Sequence, residues 1–311
     1  MKTDGSSIEI PFEENYYLKY RYVTCIGEGS FGQVDLVKSE ESSEFFAIKH
    51  SDSSGYATKK VILADSEWER EYKIIMALDH PGIIKVYRFF QTLNMGLKRI
   101  NHILMDYFPG INLESFINNW RDTHKNEFFR MSIEYQRIVV DNLFPIIEYI
   151  HKMGIVHRDL KTSNVMINTY EGKIKVIDFS FGGYYADEIE DDKINLVADH
   201  TKTKGTPLYM APEIVNRNLD GIGLKNRSDL TKSDVWSVGV ILYNLMKGAE
   251  PYLATSMKEF KKMMLSPPPL QFQSLYTIKP YREVVAMCLT VDYTVRPSAK
   301  QISKYLSNCI L

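Results

Sequence analysis

The feature that most constrains this chain is a change of character partway along it. Up to about residue 107, short runs rich in β-branched and aromatic residues dominate; beyond Pro109-Gly110 the periodicity turns helical. Tyr20–Ile26, Val34–Lys38 and Phe45–Lys49 read as strands. Ser66–Leu78 reads as a helix, with Trp68, Tyr72, Ile75 and Leu78 near helical spacing and Pro81-Gly82 after it. Ile83–Gln91 and Ile100–Tyr107 read as two more strands. The spacing then predicts helices at Leu113–Trp120, Tyr135–Met153, Val235–Met246, Lys258–Leu265, Arg282–Thr290 and Ala299–Ser307. Val235–Met246 is apolar nearly all round, the mark of a buried helix. A small sheet with one helix, followed by a helical part, predicts an α+β chain of two lobes that meet near Asp106–Gly110.

Composition narrows the function classes. The chain has 311 residues, 38 Lys+Arg and 39 Asp+Glu, for a net charge of -1. That balance argues against a basic nucleic-acid binder and against an acidic disordered tail. Cys25, Cys288 and Cys309 are too scattered for a disulfide scaffold or a zinc site, and they suit a reducing compartment. The Val235–Met246 run falls short of the about 20 apolar residues that span a bilayer. The first residues, Met1-Lys2-Thr3-Asp4, hold no apolar signal core and no acceptor glycine for myristoylation. A cytoplasmic protein, present in the nucleus as well, with no membrane and no nucleic-acid partner, is the expectation.

Four polar features interrupt the apolar pattern. Gly27-Glu28-Gly29-Ser30-Phe31-Gly32 lies between two strand signals, followed by Val34. Glycine amides can approach phosphate oxygens because no Cβ intervenes; a glycine-rich hairpin alone would look the same. The loop runs strand to strand and lacks a Gly-Lys-Ser/Thr ending, which excludes a dinucleotide fingerprint and a P-loop. Lys49 ends an apolar strand. It is either an edge-strand lysine or one with a partner, and Glu67, Glu69 and Glu71 on the next helix could supply that partner. His157–Asn164 is a polar segment between apolar runs, where a solvated loop is the plain reading. Within it, Asp159 is a candidate proton acceptor. Asp178 closes the run Ile174–Ile177. With Asn164 it offers hard oxygen ligands of the kind Mg²⁺ prefers.

Taken in order, these residues resemble the protein kinase family over about residues 20–305. The matching elements are the glycine loop Gly27–Val34, Ala47-Ile48-Lys49, Glu71, His157–Asn164, Asp178-Phe179-Ser180, Gly205-Thr206-Pro207…Ala211-Pro212-Glu213, Asp234-Val235-Trp236-Ser237-x-Gly239 and Arg296-Pro297. The resemblance implies a bilobal fold: a small antiparallel sheet with one main helix (about 20–106), then a larger helical lobe (about 109–305). It leaves an N-terminal extension, 1–19, and a tail, 306–311.

It also implies roles. Gly27, Glu28, Gly29, Ser30, Phe31 and Gly32 would cover the ATP phosphates, and Lys49 would contact them while pairing with Glu71, chosen by its offset from His80-Pro81. Val34, Ala47 and Met166 would enclose adenine. Met105 would stand as gatekeeper, Asp106 and Phe108 would offer backbone contacts, and Asn112 lies just beyond. Asp159 would take the substrate proton, Lys161 would neutralise phosphoryl charge, and Thr206 would bond both. Asn164 and Asp178 would hold Mg²⁺ (or Mn²⁺). Glu213 would pair with Arg296.

His157-Arg158-Asp159-Leu160-Lys161 and Gly205–Glu213 resemble serine/threonine kinases, which implies transfer of the ATP γ-phosphate to Ser/Thr hydroxyls of protein substrates. Small-molecule kinases of this fold often lack the Ala-Pro-Glu segment. A pseudokinase scaffold is the competing class, but such chains generally lose the counterparts of Lys49, Asp159 or Asp178. A monomer is expected, regulated through its activation segment, where Arg158 would meet a phosphate placed on Thr201 or Thr203 by an upstream kinase. The alternative is that Lys202 or the acidic run 187–192 orders that segment without phosphate.

Three departures from the family pattern stand out. Ser180 replaces the usual glycine, which would permit catalysis but disfavour a flipped inactive state. Asn216–Leu230 and Arg121–Arg130 look like inserted surface segments. Asn112 and Ser163 stand where arginine-directed kinases carry carboxylates, so little demand for a substrate arginine is expected.

Overall fold

In the computed structural model, residues 6–13, 16–29, 32–51, 65–94, 97–124, 129–185, 208–215 and 229–309 are described. They divide into two compact units. The first comprises 1–79 and 84–109; the second comprises 80–83 and 110–311.

The described residues of the first unit form a six-stranded sheet and a helix. Its strands are β1 (Ser7–Glu13), β2 (Tyr16–Gly29), β3 (Gly32–Ser39), β4 (Phe45–His50), β5 (Val86–Leu93) and β6 (Arg99–Asp106), in the order β1-β2-β3-β4-β6-β5. All pairs are antiparallel. The helix is α1 (Asp65–Met76), which buries Trp68, Glu71, Ile74 and Ile75. Alternation along β4 sets the two faces of the sheet. Ile48 turns to a core shared with Ile10, Tyr20, Val37, Phe90 and Leu104, and Lys49 turns to the opposite face.

Strand β1 corrects the expectation that the first strand starts at Tyr20. Ser7–Glu13 lies in the supposed extension, and Ile10 is 0% exposed. Pro11 is a residue that sheet interiors exclude. At a sheet edge, however, proline forfeits no ladder bond, and the register shifts between Pro11 and Glu13.

Among the described residues, the second unit holds five short strands. Sheet β10-β9-β7 joins Lys173–Val176, Val165–Asn168 and Ile111–Asn112, and β8 (Ile155–Val156) pairs with β11 (Gly183–Tyr184). Its helices are α2 (Leu113–Thr123), α3 (Ile133–Lys152), α4 (Pro212–Val215), α5 (Leu230–Lys247), α6 (Met257–Leu265), α7 (Lys279–Cys288) and α8 (Ala299–Cys309). As its all-round apolar sequence demands, α5 is buried, with Val235, Trp236, Val238, Val240, Ile241, Leu242, Leu245 and Met246 at 0% exposure. The glycine at 239 lets α7 approach: a Cβ there would stand 2.5 Å from that of Cys288. Among the described residues, no helix is long and apolar enough to cross a membrane.

The supposed insertion at 121–130 is partly structural. Arg121 completes the last turn of α2 and donates to the carbonyl of Gly248, and the ring of Phe129 packs over that glycine. Gly248 caps α5 in the left-handed conformation (φ 76°). Residues 216–228, most of the other supposed insertion, lie outside the described residues. All three cysteines are free thiols: Cys25 partly exposed, Cys288 buried, Cys309 exposed.

Candidate active site

Within the first unit, the β2–β3 hairpin carries the glycine segment. Gly29 pairs with Gly32, so the ladder persists to the turn, and Ser30 and Phe31 lie outside the described residues. Gly32 is required by a close backbone approach: a Cβ there would fall 2.0 Å from the His50 carbonyl oxygen. Val34 lies opposite Lys49, and Ala47 opposite Met105.

The lysine has a partner. Its Nζ donates to both carboxylate oxygens of Glu71, at 2.7 and 3.0 Å. Trp68 adds its ring 5.4 Å from that nitrogen. Of the three candidate glutamates, Glu71 is the one α1 turns inward; Glu69 reaches Lys73 on the solvent face. The side chains of Lys49 and Glu71 are 12% and 2% exposed. A buried charge is tolerated only when paired.

At the far end of β6, the Asp106 amide donates to the Lys85 carbonyl (2.9 Å) and its carboxylate accepts from the Tyr87 hydroxyl (2.5 Å). Phe108 is buried.

In the second unit, hairpin register sets the site. Val165 faces Val176, and the Ile177 amide donates to the Asn164 carbonyl (3.0 Å). Asn164 therefore ends one arm and Asp178 follows the other. Asn164 Nδ2 donates to the Asp159 carbonyl (2.8 Å) and to its Oδ2 (3.1 Å). Lys161 Nζ donates to the same Oδ2 at 2.7 Å. Two of the named polar residues, Lys161 and Asn164, thus converge on one carboxylate. Met166 pairs with Asn112 across β9 and β7. The Asn112 Oδ1 accepts from the Ser115 amide (2.8 Å) and so caps α2.

The loop carrying Asp159 is anchored from below by a residue that the motif pattern includes but for which it suggests no task. Asp234, on the buried helix α5, accepts from the amides of His157 and Arg158, both at 2.9 Å. His151 Nε2 lies 2.9 Å from the same carboxylate. Burial alone would push the Asp234 carboxyl up; the hydrogen bond and charge of His151 and the bond from the His157 amide outweigh it and hold it below its usual range. Those amides take the strained backbone with them, since Arg158 has φ 65°. The ring of His157 lies 4.6 Å from that of Phe179. Its Nδ1 meets the Asp159 amide and its Nε2 the Ile177 carbonyl, which assigns the proton to Nε2.

Thr162 Oγ1 lies 2.9 Å from the hydroxyl of Tyr209, and the Tyr209 carbonyl accepts from Ser237. Burial first, then the charges of Glu250 and Glu114, keep that phenol protonated, with its pKa pushed up to about 12. Glu213 and Arg296 form a bidentate pair at 2.7 and 3.1 Å. Neither His151 nor Thr162 carries a sequence signal of its own, because their partners lie 83 and 47 residues away. Thr201, Lys202, Thr203, Thr206 and the acidic run 187–192 lie outside the described residues.

A lysine held by a buried helix glutamate, and a loop aspartate joined by lysine and asparagine beside a strand-end aspartate, define the protein kinase class. The comparisons agree. The protein kinase domain family matches residues 20–306, and the chain belongs to that family. It is 31% identical over 243 residues to the serine/threonine-protein kinase kin-29 of Caenorhabditis elegans, covering 78% of this chain and 25% of that one. It is 30% identical over 257 residues to CBL-interacting protein kinase 32 of Oryza sativa subsp. japonica (81% and 51%). It is also 30% identical over 235 residues to the meiosis-specific serine/threonine-protein kinase MEK1 of Saccharomyces cerevisiae (73% and 44%). The chain thus spans about a quarter to a half of the length of these relatives.

Proposed function

We propose that this protein is an active serine/threonine protein kinase that transfers the ATP γ-phosphate to hydroxyls of protein substrates. The observation that carries the reading is the convergence of Lys161 and Asn164 on Asp159, on a loop held by Asp234.

The residues suit a nucleotide and a hard divalent cation. Among the described residues, no cluster of three His, Cys, Asp or Glu could hold a metal by itself. The Asn164 and Asp178 oxygens suit Mg²⁺ or Mn²⁺ bound partly through phosphate and water. When bound, ATP supplies the phosphoryl group and the cation screens its charge.

The protein's own work is then positioning and charge compensation. Asp159 orients the substrate hydroxyl and accepts its proton. Lys161, 2.7 Å from Asp159, offsets negative charge as transfer proceeds. Asn164 fixes the rotation of Asp159 through its amide nitrogen and offers its oxygen to the cation, as does Asp178. Lys49, held in place by Glu71, binds phosphate oxygens. Asp234 holds the loop backbone in its left-handed turn.

Gly27, Glu28, Gly29 and Gly32 of the first unit would cover the phosphates and Val34, Ala47, Met105, Asp106 and Phe108 would line the base; the family resemblance assigns Asn112 and Met166 of the second unit to the base as well. The Asn112 amide is committed to capping α2, which supports a weak demand for arginine in the substrate. The reading includes a monomer in cytoplasm and nucleus, switched by phosphate on Thr201 or Thr203.

The test is Mg²⁺/ATP phosphorylation of a generic protein substrate by wild type and Asp159→Asn, with phosphoamino-acid analysis. Phosphoserine or phosphothreonine from wild type alone is expected. Equal silence of both folded proteins would return the domain to a scaffold role. Full activity of the Thr201→Ala/Thr203→Ala double variant would remove the phosphate switch.

A further inference from the structure

Ser180 stands where the family carries glycine, and its side chain is 1% exposed. Its backbone does not use glycine's freedom. The described non-glycine residues with positive φ are Ser43, Leu97, Arg158 and Asp178, so the left-handed residue of this segment is Asp178 (φ 64°). A serine at 180 therefore brings no backbone strain, and its hydroxyl is turned to use. The Ser180 Oγ donates to Asp178 Oδ1, and the Ser180 amide donates to the same oxygen at 3.4 Å. Its chain neighbours Phe179 and Phe181 are 0% and 6% exposed, so the hydroxyl lies in a buried stretch of chain. A hydroxyl there is costly unless it is bonded.

We infer that Ser180 is a positioning residue. Its hydroxyl locks the rotation of the Asp178 carboxylate and so presents that carboxylate to the divalent cation. This deepens the kinase reading and rests on it. The amide contact is long and weak by itself. Without the hydroxyl, the Asp178 carboxylate loses a fixed donor to its Oδ1, and the rotational freedom it regains is lost again on binding metal. Hydrogen bonds from outer residues to metal-binding ones typically matter by about 10–100-fold in metal affinity.

The opposing effect is that a donor withdraws charge from the carboxylate, which would make its removal strengthen binding. Orientation is expected to win, because losing an outer hydrogen bond to a metal-binding residue typically weakens metal binding. A glycine in the same place would supply neither a hydroxyl nor a β-carbon. This chain would thus hold its metal-binding aspartate by a side-chain bond where the family pattern has none.

The experiment is direct Mn²⁺ binding by electron paramagnetic resonance, with a non-hydrolysable ATP analogue present. The full chain is used as wild type, Ser180→Ala and Ser180→Gly, and metal-free analogue affinity and melting temperature are measured alongside. The inference expects roughly tenfold weaker Mn²⁺ binding in both variants, with metal-free nucleotide affinity unchanged. A matching rise in the metal concentration for half-maximal activity should follow. Unchanged or tighter Mn²⁺ binding in either folded variant overturns it. If Ser180→Ala does not fold, Ser180→Gly decides, since it restores the family's residue. Wild-type protein that binds neither the analogue nor Mn²⁺ would overturn the kinase reading itself, and this inference with it.

Discussion

Replacing Arg296 by methionine should cost more than any surface change in this protein. Arg296 is 0% exposed. Its guanidinium gives two bonds to Glu213 and one each to the carbonyls of Lys232 (2.7 Å), Thr290 (2.9 Å) and Val291 (3.3 Å). It also lies 5.0 Å from the ring centroid of Trp236. Methionine fills much of the volume but supplies no donor. Glu213, 2% exposed, is left as a buried carboxylate without its countercharge. Breaking such a pair from one side costs about 3–5 kcal/mol. For a folded unit of this size, at about 2–4 °C per kcal/mol, the melting temperature should fall by roughly 10 °C. Calorimetry and urea unfolding measure the loss. The double variant Glu213→Leu/Arg296→Met discriminates between causes, because it removes the stranded charge as well and should recover about half of the deficit. A single-variant cost below about 1 kcal/mol, or a double variant worse than the sum of the singles, would refute the buried-pair reasoning.

Other outcomes follow from the same packing. Ile10→Ala should destabilise the first unit by about 2–5 kcal/mol, read by urea unfolding, because a fully buried side chain leaves a cavity beside Ile48 and Leu104. Gly239→Ala should cost about 1–3 kcal/mol in the same assay, since its new Cβ would stand 2.5 Å from Cys288 Cβ and 3.0 Å from Leu289. Asp234 has a folded pKa below its unfolded value, so its contribution is complete above about pH 4 and is lost as pH falls through the folded value. Melting of wild type and Asp234→Asn across pH 2–7 (roughly that range, set by the carboxylate pKa) should show a gap that is full at neutral pH and closes in acid.

How much was legible differs from element to element. The buried helix α5 was readable because an all-apolar run leaves no other placement, and α1 was readable from its periodicity. Strand β1 was not, because Pro11 is a residue that sheet interiors exclude and that only an edge position excuses. Of the site, Lys49, Glu71, Asp159, Asn164 and Asp178 stood out by residue type and order. The roles of His151, Thr162 and Ser180 did not, since a histidine, a threonine and a serine have many uses and declare none of them locally.

The linear order of motifs, each a local chemical requirement, determined by itself that this chain is a kinase domain of two units. The resemblance already paired Lys49 with Glu71 and Glu213 with Arg296; the tertiary structure supplied the physical reason for those pairings and the partners that no motif named. Among Glu67, Glu69 and Glu71, helical rotation turns just one inward to Lys49. Hairpin register brings Asn164 level with Ile177, next to Asp178. A buried aspartate 77 residues downstream of His157 holds the catalytic loop. Such pairings rest on burial, where an unpaired charge is too costly to keep, and burial is a property of the packed chain rather than of any segment of it.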